Sequence, residues 1–150
     1  MTIFRVFGAG EWGLAIANDL SISNNIIEVY IRDKKKLEAY KTDSYYKDLG
    51  LTFNNNISFH NIDNTDNLES THDVVNIIAT SSSGFSSIIE DNINYFRGCS
   101  SLTWITKGLD HTSGLLFHQL IDQKISDKIQ KCIISGPSFA KDLVNKKSLE

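Results

Sequence analysis

Proline is almost missing from this chain: Pro137 is the only one in 150 residues. That makes the Gly136-Pro137 step conspicuous. Cysteine is scarce as well. Cys99 and Cys132 are too few for a disulfide framework. Each lies at or near the start of an apolar run, which predicts buried thiols in a reducing compartment, with a Cys99–Cys132 bridge as the alternative. The four histidines, His60, His72, His111 and His118, lack zinc-type spacing, so no metal site is expected. No sign of charge dominates. Fifteen Lys and Arg against eighteen Asp and Glu leave a net charge of −3, which offers nucleic acid or an anionic membrane no electrostatic attraction. Any phosphate must therefore be held locally, by backbone N–H groups and a few placed cations. No apolar run is long enough to span a bilayer, and no signal-peptide pattern precedes the strand expected from Thr2. The expected location is the cytoplasm.

What is present is an ordinary globular composition, 41% hydrophobic and 22% charged, at a length that suits one domain. Thr2–Phe7 predicts a first strand, ended by glycines. A helix through Leu14–Leu20 closes near Asn24-Asn25, and Ile26–Ile31 is a second strand. Asp33 can cap a helix carrying Leu37 and Tyr40. Residues 44–56 read as loop, then Ile57–Phe59 as a short third strand. Asp73–Ala79 is a buried fourth, followed by the polar run Thr80–Ser83. Phe85, Ile88, Ile89, Ile93 and Phe96 fall at the spacing of one amphipathic helix. Leu102–Thr106 is a fifth strand, Leu115–Ile125 a helix, and Ile129–Ser135 a sixth strand. His111 and His118, seven apart, are placed on that helix beside a core rather than in chemistry. Strands alternating with helices through short links mean right-handed crossovers and a parallel sheet. The expectation is an α/β, Rossmann-like doubly wound, mainly parallel six-stranded sheet in the order 3-2-1-4-5-6, with helices on both faces.

Three places carry candidate chemistry. Gly8-Ala9-Gly10-Glu11-Trp12-Gly13 is a G-x-G-x-x-G pattern leaving a strand and opening a helix. In this reading Gly8 permits the turn, Gly10 lets a pyrophosphate approach, and Gly13 lets helix and strand pack closely. A purely structural glycine turn is the alternative. Arg32-Asp33 ends the second strand, where a dinucleotide ribose is read; Arg32 favours the 2′-phosphate of NADPH, against the alternative of a solvated arginine. Lys107-Gly108 after the fifth strand and Ser135–Ala140 after the sixth share the carboxyl edge of the sheet, where ligands of such folds bind. A solvated lysine and a strand-ending turn are the alternatives there. No nucleophile–base pair is recognisable in the sequence.

Taken together, Gly8–Ala15, Arg32-Asp33, Thr106-Lys107-Gly108-Leu109 and Ser135-Gly136-Pro137-Ser138-Phe139-Ala140-Lys141-Asp142 resemble, in this order, the motifs of the NAD(P)-dependent glycerol-3-phosphate dehydrogenases. The resemblance covers the whole chain. It implies cofactor contacts, with NADPH or NADH, at Gly8, Gly10, Glu11, Trp12, Gly13, Arg32, Lys107 and Ala140. It implies contacts with dihydroxyacetone phosphate or glycerol 3-phosphate at Lys107, Gly136 and Ser138. The implied reaction is reversible hydride transfer between those two compounds, feeding phospholipid synthesis.

The chain also departs from the family pattern. Glu11 stands where a small hydroxyl residue is usual, and a carboxylate must point away from a pyrophosphate. Thr80-Ser81 replaces Pro-Ser after the fourth strand, and residues 46–50 match the family's Tyr-Leu-Pro loop poorly. The family's helical second domain, with its catalytic lysine and most of the substrate pocket, has no counterpart here. The expectation is therefore a cofactor domain over residues 1–150, with no catalytic residue in this chain and with any homodimer contacts lying largely in the remainder of a full-length protein. Another two-domain reductase, acting on a 2-keto acid, is one rival. A dinucleotide-sensing module without catalysis is the other.

Overall fold

The computed structural model describes residues 2–43, 45–65, 68–69, 73–136 and 139–145. In chain order the elements are β1 (Ile3–Phe7), α1 (Glu11–Ser21), β2 (Ile26–Ile31), α2 (Lys34–Thr42), β3 (Tyr45–Tyr46), β4 (Leu51–Thr52) and β5 (Ile57–Asn61). They continue with β6 (Val74–Ile78), α3 (Ser82–Asp91), α4 (Ile93–Arg97), β7 (Ser101–Trp104), α5 (Phe117–Lys124), β8 (Gln130–Ile133) and α6 (Ala140–Val144). Six strands form one sheet in the order β5-β2-β1-β6-β7-β8, every pair of it parallel. This is the expected doubly wound Rossmann-like order. The direction of winding reverses between β1 and β6.

Period-two alternation along the strands divides the side chains between two cores. Val6 on β1 joins Ile27, Val29 and Ile31 on β2 and Ile77 on β6 beneath Leu14 and Ala17 of α1. Phe7, Tyr30, Ile78, Leu102 and Trp104 face the other way, against Phe85, Ile88, Ile89 and Phe96 of α3 and α4 and Leu120 and Ile121 of α5. Each fully buried Leu, Ile or Phe here contributes roughly 1.5–3 kcal/mol. The second core also holds a charge. Arg5 lies beside Glu28 and Asn76 in the strand register. Its Nε donates to Glu28 Oε2 at 2.8 Å, and its Nη1 to the Glu69 carbonyl at 2.7 Å and to Tyr95 Oη at 3.0 Å. Burial opposes the Arg5 charge, but the bonds to Tyr95 and Glu28 outweigh it and hold the guanidinium above its ordinary range. Burial pushes the Tyr95 phenol up to about 12, with the Arg5 bond pulling the other way.

Several expectations need correction. Residues 44–56 were expected as loop, yet β3 and β4 pair antiparallel there. The cause is apolar packing: Tyr40, Tyr46, Phe53 and Phe59 stack edge-on and tilted, which fastens the hairpin under α2. The single helix expected over residues 85–96 is two, broken at Asn92 (φ −122°, ψ 30°). Asn92 Nδ2 donates to the Ile88 carbonyl at 3.0 Å and its Oδ1 accepts from the Thr65 hydroxyl, a side chain competing with the helix ladder. Cys99 is buried as expected, but Cys132 is exposed, because β8 is an edge strand; no disulfide joins them. His111 lies in an exposed turn ahead of α5 rather than on it. Among the described residues no helix is long and apolar enough to cross a membrane, and no cluster of His, Cys, Asp and Glu is able to hold a metal ion.

Candidate functional site

The glycines that end β1 differ in what the fold asks of them. Gly8 has φ +117°, and a Cβ there would stand 2.6 Å from the Ala79 carbonyl oxygen. A Cβ on Gly13 would stand 2.1 Å from the Gly8 carbonyl oxygen, so α1 leaves the strand at backbone contact distance. Gly10 is unlike both. Its φ of −78° and ψ of 175° suit any residue, and a Cβ on it would meet nothing within 4 Å. Neither conformation nor packing within the chain explains a missing side chain there; room for a group outside the chain does.

Two helices begin beside this turn. Gly10 is the N-cap of α1 and Ser81 that of α3, and neither supplies a side-chain capping bond. An α-helix leaves its first N–H groups without partners of its own and its dipole favours an anion there, although in α3 the Gly84 N–H already donates to the Ser81 carbonyl at 3.0 Å. The two starts flank the switch point between β1 and β6, where doubly wound sheets bind ligands.

Two cavities meet there. The larger, about 840 Å³, is floored by alternate residues of one sheet face, among them Val75, Ile77, Thr103, Ile105 and Ile134. Trp12, Ser82, Lys107 and Gly136 line it as well. The smaller, about 270 Å³, is lined by Gly8, Ala9, Gly10, Arg32, Asp33 and Lys36. Thr80 and Ser81 line both cavities. The buried Thr80 Oγ1 has no hydrogen-bond partner among the described residues.

The expected site residues gather unevenly. Lys107 and Gly136 come together, Lys107 Nζ donating to the Gly136 carbonyl at 3.0 Å. Arg32 reaches the smaller cavity, but its Nη2 also donates to Ser87 Oγ and Asp91 Oδ2, both at 2.9 Å. Asp33 Oδ1 accepts from the backbone N–H groups of Lys35 and Lys36, so it caps α2 as expected. Glu11 is exposed on the first turn of α1, while Trp12 is partly buried. Ala140 is buried in the core that packs against the α1 face, and lines neither cavity. Ser138 lies outside the described residues.

Residues not singled out by the sequence also build the site. Thr106 Oγ1 donates to the Thr80 carbonyl at 2.9 Å, joining the ends of β6 and β7. Asp110 fastens the turn after Lys107: its Oδ2 accepts from Ser113 N at 2.7 Å and Ser113 Oγ at 2.6 Å, and its Oδ1 from the Ser86 hydroxyl on α3. These bonds, Ser113 and Ser86 foremost, hold its carboxyl at about 2. Ser82 Oγ and His111 Nε2 stand 2.8 Å apart at the same edge, a pairing that residues 29 positions apart do not announce. For Thr80–Ser83 the signal was their position, a polar run directly after a buried strand.

Comparison with known proteins agrees with this geometry. The family described as NAD-dependent glycerol-3-phosphate dehydrogenase N-terminus matches residues 4–149. The glycerol-3-phosphate dehydrogenase [NAD(P)+] of Brachyspira hyodysenteriae is 32% identical over 141 residues, covering 91% of this chain and 40% of that protein. That of Pasteurella multocida is 27% identical over 144 residues, with 92% and 41% covered. This chain thus spans about two fifths of the length of those relatives. Among solved structures, the glycerol-3-phosphate dehydrogenase of Coxiella burnetii superposes with a TM-score of 0.75 at 22% identity, covering 96% of this chain and 43% of that one. A putative F420-dependent NADP reductase from Arthrobacter shares the fold at a TM-score of 0.61 and 13% identity, with 85% and 59% covered. With the match running almost from end to end, this chain belongs to the NAD-dependent glycerol-3-phosphate dehydrogenase family, in its N-terminal part.

Proposed function

We propose that this chain is the cofactor-binding part of an NAD(P)-dependent sn-glycerol-3-phosphate dehydrogenase, and that its crevice holds NADPH or NADH. Gly10 carries the reading: it is a glycine that the fold itself does not require, beside two that it does. Thr80 Oγ1, buried at the meeting of the two cavities without a hydrogen-bond partner among the described residues, is a second point of fit. The pyrophosphate would lie over Gly8 and Gly10 at the open start of α1, held by backbone N–H groups. Arg32 would face the adenosine ribose. Glu11, Trp12, Gly13 and Ala140 are carried as neighbours of the cofactor on the family resemblance, and Trp12 also lines the larger cavity.

Bound NADPH would supply a hydride for the carbonyl of dihydroxyacetone phosphate, and bound NADP+ would accept one from glycerol 3-phosphate in the reverse direction. The part of this chain is to bind and orient. Lys107 brings a cation to the crevice, where it can hold a phosphate or polarise a carbonyl, and its bond to Gly136 fixes the two loops relative to each other. Gly136 and Ser138 are the remaining substrate contacts in this reading. The general acid for the developing alkoxide must lie within hydrogen-bond reach of the reacting oxygen, and we assign it to a substrate domain of the family outside residues 1–150. The apolar floor of the larger cavity, with the exposed Ile134 on it, supplies a surface for that domain to cover. The product would serve glycerophospholipid synthesis in the cytoplasm.

NADPH oxidation with dihydroxyacetone phosphate, measured for the 150-residue chain and for the protein with its downstream sequence, tests the reading. Binding by both and turnover by the longer one alone is expected. Turnover by the short chain would contradict the division of labour. A longer protein that binds NADPH and never turns over would instead be a sensor.

A further inference from the structure

We propose that Asp91 is a specificity-determining residue which, by holding Arg32, tempers the preference of the crevice for NADPH over NADH. The proposal rests on the cofactor reading above. Arg32 follows β2 and lines the smaller cavity with Gly8, Gly10 and Lys36. Its Nη2 donates to Asp91 Oδ2 and to Ser87 Oγ at 2.9 Å each, and Ser87 Oγ donates to the same Asp91 oxygen at 2.9 Å. The three groups close a ring between the end of β2 and the last turn of α3.

This ring does little for the fold. The side chains of Arg32 and Asp91 are 53% and 61% exposed, and ion pairs so exposed contribute little to stability. For a ligand the ring is consequential. A 2′-phosphate needs guanidinium donors in a charge-assisted contact. Asp91 already takes one of the Arg32 nitrogens and sets a negative charge beside it. The ribose of NADH presents neutral hydroxyls and meets no such repulsion. Asp33, the neighbouring carboxylate, also lines this cavity, with its Oδ1 taken by the N–H groups of Lys35 and Lys36. Lys36, at the same cavity, remains as a second cation for the phosphate.

Calorimetric titration of NADPH and NADH into the chain, its Asp91→Asn and Arg32→Ala variants and the double variant tests this. Asparagine keeps the shape and the bond to Ser87 without the charge. Asp91→Asn is expected to tighten NADPH by about 3- to 10-fold at low salt and to leave NADH within about twofold. On the Arg32→Ala background the gain should vanish, while the melting temperature of Asp91→Asn stays near that of the parent. An unchanged ratio of NADPH to NADH affinity would overturn the proposal while leaving the cofactor reading intact. A gain that persists at full size without Arg32 would also overturn it, since Asp91 would then act on the ligand directly. If the parent chain binds neither dinucleotide, the cofactor reading fails, and this proposal with it.

Discussion

A methyl group added at Gly13 would stand 2.1 Å from one backbone atom and 3.1 Å from another, and neither can turn aside as a side chain would. Gly13→Ala is therefore expected to destabilise the chain by about 3 kcal/mol or more. An unchanged denaturation midpoint would contradict the close approach of α1 to β1. Asp110 makes a prediction in pH. Its carboxyl is held at about 2 by Ser113 and Ser86, below the ordinary value of 3.8. A depressed carboxyl stabilises the fold fully above its unfolded value and loses that contribution as pH falls through the folded one. The difference in melting temperature between the parent and Asp110→Asn should be constant above about pH 4. It should then shrink between pH 4 and the folded value of about 2. A difference that is flat across that window would remove Asp110 as the fastening of the Lys107 turn.

Among the elements, β1 carries the most. One of its faces presents Val6 to the core under α1, and the other presents Arg5 and Phe7 to the core under α3 and α4. Arg5→Leu would leave the Glu28 carboxylate, 21% exposed, with the Tyr30 hydroxyl and no cation. A loss of about 3 kcal/mol is expected in urea denaturation, since removing one partner strands the other charge. A loss no larger than that of an exposed pair would contradict the buried network. Strand positions and order were legible because β-branched runs and glycine stops are local signals. The ends of α3 and the β3–β4 hairpin were not. The first depends on Asn92 meeting Thr65, and the second on Tyr40, Phe53 and Phe59 meeting across the fold. The site divides in the same way. Gly10, Arg32, Lys107 and Gly136 stand in motifs, whereas Asp91 reaches Arg32 only through the folded backbone.

In the whole molecule, right-handed crossovers place α3, α4 and α5 on one face of β6, β7 and β8. The opposite face there receives α1 and α6 at its margin and keeps the 840 Å³ cavity open. Ile134 is exposed at that cavity, Ile133 and Leu116 are exposed at a second hollow beside Trp104 and Phe117, and β8 is an edge strand. Open apolar edges of this kind associate. The isolated chain is expected to sediment as larger species with rising concentration, and Ile133→Lys to reduce that association. A monomer at all concentrations would show that the edge is tolerated in water. At the crevice itself, the turn at Gly10 is proposed to take a dinucleotide. NADPH titrated calorimetrically into the chain and into Gly10→Val tests it most directly. The variant should fold, at an N-cap cost of about 1 kcal/mol, because a Cβ at this position meets nothing within 4 Å. Saturable binding by the parent and none by the variant is expected; equal affinity in a folded Gly10→Val chain would contradict the dinucleotide reading.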